Sequence, residues 1–167
     1  VKIPVFVSCP TRLTVDQAIS RKLVLDELER YQLEPRALGR SDYPTELPLR
    51  EVYTIAKHCS GGVILGFEQF LATGGSWNRG VAPRINADKP VPFPSSWNHL
   101  EAGVLFGLRI PLVVFREPDL TGGVFDNGVT DAFIHKMPTD KMDEEDRAGF
   151  VQVFLKWQAS VREHYYR

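Results

Sequence analysis

The sequence predicts an α/β domain in which helices cover both faces of a five-stranded parallel sheet. Short β-branched and aromatic runs alternate five times with longer, helix-like segments. The first run, VKIPVFVS, has the character of a strand buried on both faces. A length of 167 residues, with 43% hydrophobic and 25% charged residues, suits one domain with a sizeable core.

Taken in order, Val1 to Ser8 forms the first strand, which Cys9-Pro10 ends. Thr14 and Gln17 make a capping-box pattern, so a helix begins at about Val15. Val15, Ala18, Ile19, Leu23 and Leu28 supply its apolar stripe, which fades near Tyr31. Leu33 to Leu38 is a second strand weakened by Pro35. A polar loop from Gly39 to Pro48 leads to a helix from about Leu49 to His58. Gly61-Gly62 is expected to break the chain before a third strand, Val63 to Gly66.

A long loop spans roughly 69–95 and holds Gly74-Gly75, Pro83, Pro90, Pro92 and Pro94. Structureless loops beyond about 12–15 residues are usually functional or disordered. Trp77, Arg84 and Phe93 argue here against plain disorder. Ser95 or Ser96 caps a helix from Trp97 to about Leu108, and Ile110 to Phe115 is the fourth strand. Gly122-Gly123 and Asn127-Gly128 mark turns. Ala132 to Met137 is a fifth strand, and a helix with an acidic start runs from Asp143 to about Tyr165. The expected strand order is 2-1-3-4-5, with a ligand crevice where strands 1 and 3 diverge.

The formal net charge of −1 gives no basic field for nucleic acid. No apolar run reaches the length of a membrane span, and the first residues show no signal-peptide pattern. The absence of an initiator Met leads us to expect a single domain, 1–167, belonging to a longer protein. Cys9 and Cys59 are too few for a disulfide scaffold, which points to a reducing cytoplasm. His99-x-Glu101 echoes a zinc deaminase signature, but its partner Pro-Cys-x-x-Cys is missing, so no metal is expected.

Ser95 to Gly103 carries the first candidate for chemistry. Glu101 is a carboxylate expected in the first turn of a helix, and the segment that follows, 104–115, is almost wholly apolar. Trp97 lies four residues earlier and therefore shares a side of that helix. A carboxylate beside an aromatic ring suits a substrate with a flat base on a sugar. Breaking an N-glycosidic bond builds positive charge on the ribose, and a carboxylate about 4 Å away contributes about 4 kcal/mol. That is roughly a thousandfold in rate. Glycosidases ordinarily need a second carboxyl to protonate the leaving group, and none is evident here. A leaving group that is already cationic, such as the nicotinamide of NAD, departs without an acid. The structural alternative is a helix-dipole Glu beside a packing Trp.

Other positions admit two readings each. Ser8 suits a ribose or phosphate contact, or simply ends a strand. Cys9 reads as a buried small residue or as a nucleophile, a role for which the sequence identifies no His. Arg12 suits a diphosphate or a solvated loop. Phe67 and Phe70 suit the crevice wall or the core. Asn98 and His99 suit substrate orientation or a solvated helix surface. Gly103 is expected to permit close helix–sheet packing.

The strand–helix order, the strand Val5-Phe6-Val7-Ser8 and the run Ser96-Trp97-Asn98-His99-Leu100-Glu101 resemble a TIR (Toll/interleukin-1 receptor) domain. The resemblance implies a flavodoxin-like, TIR-type sheet. It implies Glu101 as the catalytic residue of an NAD glycohydrolase or ADP-ribosyl cyclase, with NAD as substrate and no other cofactor. It suggests Trp97 and the loop after strand 1, with Ser8, Cys9 and Arg12, as substrate contacts; the sheet order, independently, places Phe67 at the crevice as the residue that ends strand 3. It further implies self-assembly through the TIR domain, a fused or associated sensor domain, and service in bacterial anti-phage defence. Many TIR domains only assemble, so a non-catalytic assembly module is an alternative. Val5 to Pro10 and Glu101-Ala102-Gly103 also resemble nucleoside 2-deoxyribosyltransferases. That family usually has an Asp-x-Gly-like element where this chain has Pro94-Ser95-Ser96-Trp97.

Overall fold

The computed structural model describes residues 1–37 and 47–167. In chain order these form β1 (Ile3–Ser8), α1 (Val15–Arg30), β2 (Leu33–Arg36), α2 (Pro48–Lys57) and β3 (Gly61–Gly66). Four short strands follow, β4 (Phe70–Ala72), β5 (Gly75–Ser76), β6 (Arg84–Ile85) and β7 (Val91–Phe93). Then come α3 (Ser96–Gly107), β8 (Leu112–Arg116), a 3₁₀ turn at Gly123–Phe125, β9 (Ile134–Lys136) and α4 (Glu144–Tyr165). Leu38 of the expected second strand, and residues 39–46 of the expected polar loop, lie outside the described residues.

The main sheet is five-stranded, in the order β2-β1-β3-β8-β9, and every pairing in it is parallel. This is the doubly wound, flavodoxin-like α/β architecture that the alternation predicts. Parallel sheets need both faces covered, and two apolar cores meet that need. One joins Val5, Val7 and Leu65 to α1 and α4 through Val24, Leu28, Phe154 and Trp157. The other joins Phe6 and Ile64 to α2 and α3 through Val52, Ala56, Ala102 and Leu105. Central β3 is buried throughout. The Pro-containing β2 stands at the edge, where a missing N–H is tolerated.

The glycines expected to break the chain before the third strand are part of it. A Cβ on Gly61 would lie 2.6 Å from Val161 Cγ2 and 2.8 Å from Trp157 Cζ2, so α4 packs directly on bare strand backbone. Gly61→Ala is expected to cost about 1–3 kcal/mol through overpacking. An unchanged urea midpoint for that variant would show that α4 does not press on β3 as described.

α1 carries the expected capping box: the Thr14 side chain accepts from Gln17 N–H while the Gln17 side chain accepts from Thr14 N–H. Its buried face differs from the expected stripe. Gln17, Ser20, Val24, Glu27 and Leu28 face inward, and Val15 is 78% exposed. Polar pairing rotates the helix. Gln17 Nε2 donates to the Glu117 carboxylate at 3.1 Å and 3.2 Å and to the Glu68 carbonyl at 3.2 Å, while Glu68 N–H donates to Glu117. This clamp joins α1 to the carboxyl ends of β3 and β8.

The 69–95 segment is not structureless. β4 pairs antiparallel with β7 and β5 with β6, making two nested ribbons. Phe93 anchors them, 6.4 Å from Phe70 and 5.9 Å from Trp77 between ring centroids. Strands of two or three residues, interrupted by prolines, are too short to show a period of two.

Candidate functional site

Side chains alternate between the faces of a pleated strand. In β1, Val5 and Val7 enter the α1/α4 core and Phe6 enters the α2/α3 core. Ser8, two residues beyond Phe6, therefore turns toward α3, where it is fully buried. It stands beside Ile64 of β3, at the carboxyl ends of the two central strands.

α3 begins at these strand ends. Ser95 caps it, its hydroxyl accepting from Trp97 N–H at 3.2 Å. Asn98, Glu101, Ala102 and Leu105 form its buried side. Asn98 Nδ2 donates to Ser8 Oγ at 2.8 Å and, at longer range, to the carbonyl oxygens of Ser8 (3.4 Å) and Leu65 (3.3 Å). Only an NH₂ group can serve two carbonyls, which sets the orientation of the amide. Asn98 Oδ1 is then left buried without a hydrogen-bond partner among the described residues. An unsatisfied buried acceptor costs about 1–3 kcal/mol, a local inconsistency of the kind that collects at functional sites.

Glu101 follows one turn later and is only 7% exposed. Burial raises its pKa from 4.5 to about 7, while a hydrogen bond with the Ser8 side chain works in the opposite direction. Ser8 Oγ already accepts from Asn98, so its own proton is available to Glu101. Near pH 7 the carboxyl group is therefore about half ionised, suited to holding a proton or to meeting a developing positive charge. Removing the hydroxyl in Ser8→Ala is expected to move the Glu101 pKa further upward. Carboxyl-carbon NMR would read this directly, and a downward or absent shift would remove Ser8 from the site.

Trp97 projects within about 40° of Glu101 around the α3 axis. It is 41% exposed, at the surface, while Glu101 is buried. The remaining sequence candidates are dispersed. Phe67 continues the Leu65 side of β3 and is wholly buried in the α1/α4 core, so it presents no surface to a crevice. Cys9 follows the Val7 side and lines a separate pocket with Arg21 and Arg36. Arg12 is exposed in the loop after β1, its carbonyl accepting from Gln69 Nε2 at 3.3 Å. Phe70 is 65% exposed on the ribbons.

For Asn98, as for His99, the sequence allows both substrate orientation and a solvated helix surface. Asn98 is 1% exposed. Its spacing to Ala102 and Leu105 puts it on the apolar stripe of α3, a signal present in the sequence. His99 packs edge-on against Phe125 at 5.6 Å between centroids. Among the described residues, no group of three His, Cys, Asp or Glu side chains is arranged to hold a metal ion. Nor, among these residues, is any helix long and apolar enough to cross a membrane. Comparison of the chain with protein-family models, with curated proteins and with solved structures finds no match.

Proposed function

We propose that this domain cleaves the nicotinamide–ribose bond of NAD, as the TIR resemblance implies, with Glu101 as the catalytic residue. The observation that carries the reading is a buried carboxyl group whose pKa is raised to about 7, hydrogen-bonded to Ser8 where β1 and β3 end. Open α/β sheets bind ligands outside the carboxyl ends of their strands, beside the point where strand order reverses.

In this mechanism the C–N bond breaks and its electron pair passes to the nicotinamide nitrogen, cancelling the positive charge there. The ribose takes on oxocarbenium character, which the Glu101 carboxylate stabilises. Attack by water yields ADP-ribose and a proton; attack by a nucleophile within the same molecule yields a cyclic product. The exposed Trp97 offers a flat surface to a ring, and the Asn98–Ser8 pair holds the carboxylate in place. The resemblance extends the proposal to a domain activated by self-assembly and serving as a bacterial anti-phage effector.

Chromatography of NAD products at high protein concentration, wild type against Glu101→Gln, is the test. Nicotinamide release by the wild type and its loss in the variant support the reading. Undiminished release by the variant removes Glu101 from the role. Transfer of deoxyribose between added bases, with NAD untouched, would assign the site to the deoxyribosyltransferase chemistry instead.

A further inference from the structure

The ribbons between β3 and α3 wall a groove. It has a volume of about 560 Å³ and lies between them, α3 and the loop after β8. Trp77 and Phe93 come from the ribbons, His99, Gly103 and Phe106 from α3, and Val129 from the loop. His99, Gly103 and Phe106 project about 150° around the helix from Glu101. Neither Glu101 nor Ser8 lines the groove. The groove lies largely on the side of α3 away from Glu101, although Ala102, from the buried side, also lines it.

Gly103 has no packing reason to be glycine, contrary to the expectation of close helix–sheet contact. A Cβ built there meets no atom within 4 Å. A glycine inside a helix costs about 0.5–1 kcal/mol relative to alanine. Here it leaves open space in a groove that two large aromatic side chains also line, Trp77 at 44% and Phe106 at 47% exposure. Among the described residues, the lining contains no Asp, Glu, Lys or Arg. Burial lowers the His99 pKa more strongly than Asp126 raises it, so the imidazole is neutral at pH 7. Its Nδ1 accepts from Val124 N–H at 3.4 Å, which leaves Nε2 as the ring's N–H donor.

We infer that this groove binds an uncharged, flat heteroaromatic molecule of the nucleobase or nucleoside class. Its volume falls within the range of small-molecule sites, which are mostly apolar with a few polar groups. The aromatic side chains supply surface for a ring, and the neutral imidazole supplies a hydrogen bond to a ring nitrogen or carbonyl. With no cation in the lining, a phosphate gains nothing there. The inference stands apart from the chemistry proposed at Glu101.

The test is titration of the whole chain with adenosine, guanosine, cytidine and uridine into the millimolar range. Binding is followed through the Trp77 indole N–H resonance, assigned with Trp77→Phe. At least one nucleoside is expected to give a saturable shift, and its 5′-monophosphate to bind no more tightly. Gly103→Leu should weaken binding at least tenfold while leaving Tm unchanged or higher, because leucine fills open space and is the better helix former. Phe106→Ala, at an exposed position, should weaken binding as well. The inference is overturned if no nucleoside saturates, if Gly103→Leu binds as the wild type does, or if the monophosphate binds tenfold tighter.

Discussion

Glu101→Gln is expected to abolish nicotinamide release while making the protein more stable at alkaline pH. The loss follows from charge. A carboxylate about 4 Å from the ribose cation contributes about 4 kcal/mol at an effective dielectric near 20, or roughly a thousandfold in rate. A neutral amide cannot supply it. The gain in stability follows from the raised pKa. An unfolded Glu titrates near 4.5, and Glu101 titrates at about 7 in the folded protein. Between those values the folded state keeps a proton that the unfolded state has lost. Wild-type stability therefore falls as pH rises from about 4.5 through 7, by about 3 kcal/mol, and is level above that. The amide of the variant cannot ionise. Glu101→Gln should match the wild type near pH 4.5 and exceed it by about 3 kcal/mol at pH 8, a Tm difference of roughly 6–12 °C. Calorimetry at the two pH values measures this, and equal stabilities at pH 8 would show that the Glu101 carboxylate is not destabilised by burial. Under the proposed function, the same ionisation is expected to set the activity profile. The wild-type kcat/KM for NAD should climb through about pH 7 and level off above it, since the carboxylate is the active form. A bound cationic nicotinamide favours the carboxylate, so the kcat midpoint should fall below that of kcat/KM.

Asn98→Ala is the second large effect, and it acts on the frame of the site. The change removes the donor shared by Ser8 Oγ and the Ser8 and Leu65 carbonyls, leaving buried acceptors unserved. A cost of about 3 kcal/mol is expected, with Tm lower by roughly 6–12 °C. Because Asn98 is a positioning residue, its loss should reach Glu101 through Ser8. The freed hydroxyl no longer has a set direction, so the pH midpoint of NAD cleavage should move from its wild-type place. Asn98→Asp keeps the shape but exchanges the donor for a charge facing two carbonyls, and should destabilise more than alanine at pH 8. Urea midpoints of the three proteins decide the matter. An Asn98→Ala midpoint equal to that of the wild type would mean that the amide does not tie β1 and β3 to α3.

Much of the frame is legible directly from residues in sequence. The alternation of buried runs and capped helices yields the strand order, and Thr14 with Gln17 and Ser95 mark two helix starts where they occur. The choice of Glu101 also comes from local pattern, an acid read at the first turn of an apolar helix, although α3 begins at Ser96 and carries Glu101 as its sixth residue, beyond the first turn. Sequence and structure part where distant segments of the chain meet. Gly61 and Gly62 read as a break because Val161 and Trp157, which cover Gly61, belong to the last helix. The inward face of α1 departs from its apolar stripe because Gln17 is drawn in by Glu117, 100 residues away. Phe67 and Cys9 group with Ser8 by nearness to the strand ends, although strand alternation sends them to the other side of the sheet.

By itself, the sequence determined the class of fold and the strand order, and it singled out the carboxylate proposed for chemistry, because each rests on patterns within a few residues. Only the tertiary structure decided that Glu101 is buried against Ser8, that Asn98 ties two strand ends together, and that the ribbons wall a groove largely on the side of α3 away from Glu101. Those outcomes depend on desolvation and on contacts between segments far apart in the chain. A carboxyl group acquires its pKa, and a glycine its purpose, from neighbours that no local pattern names.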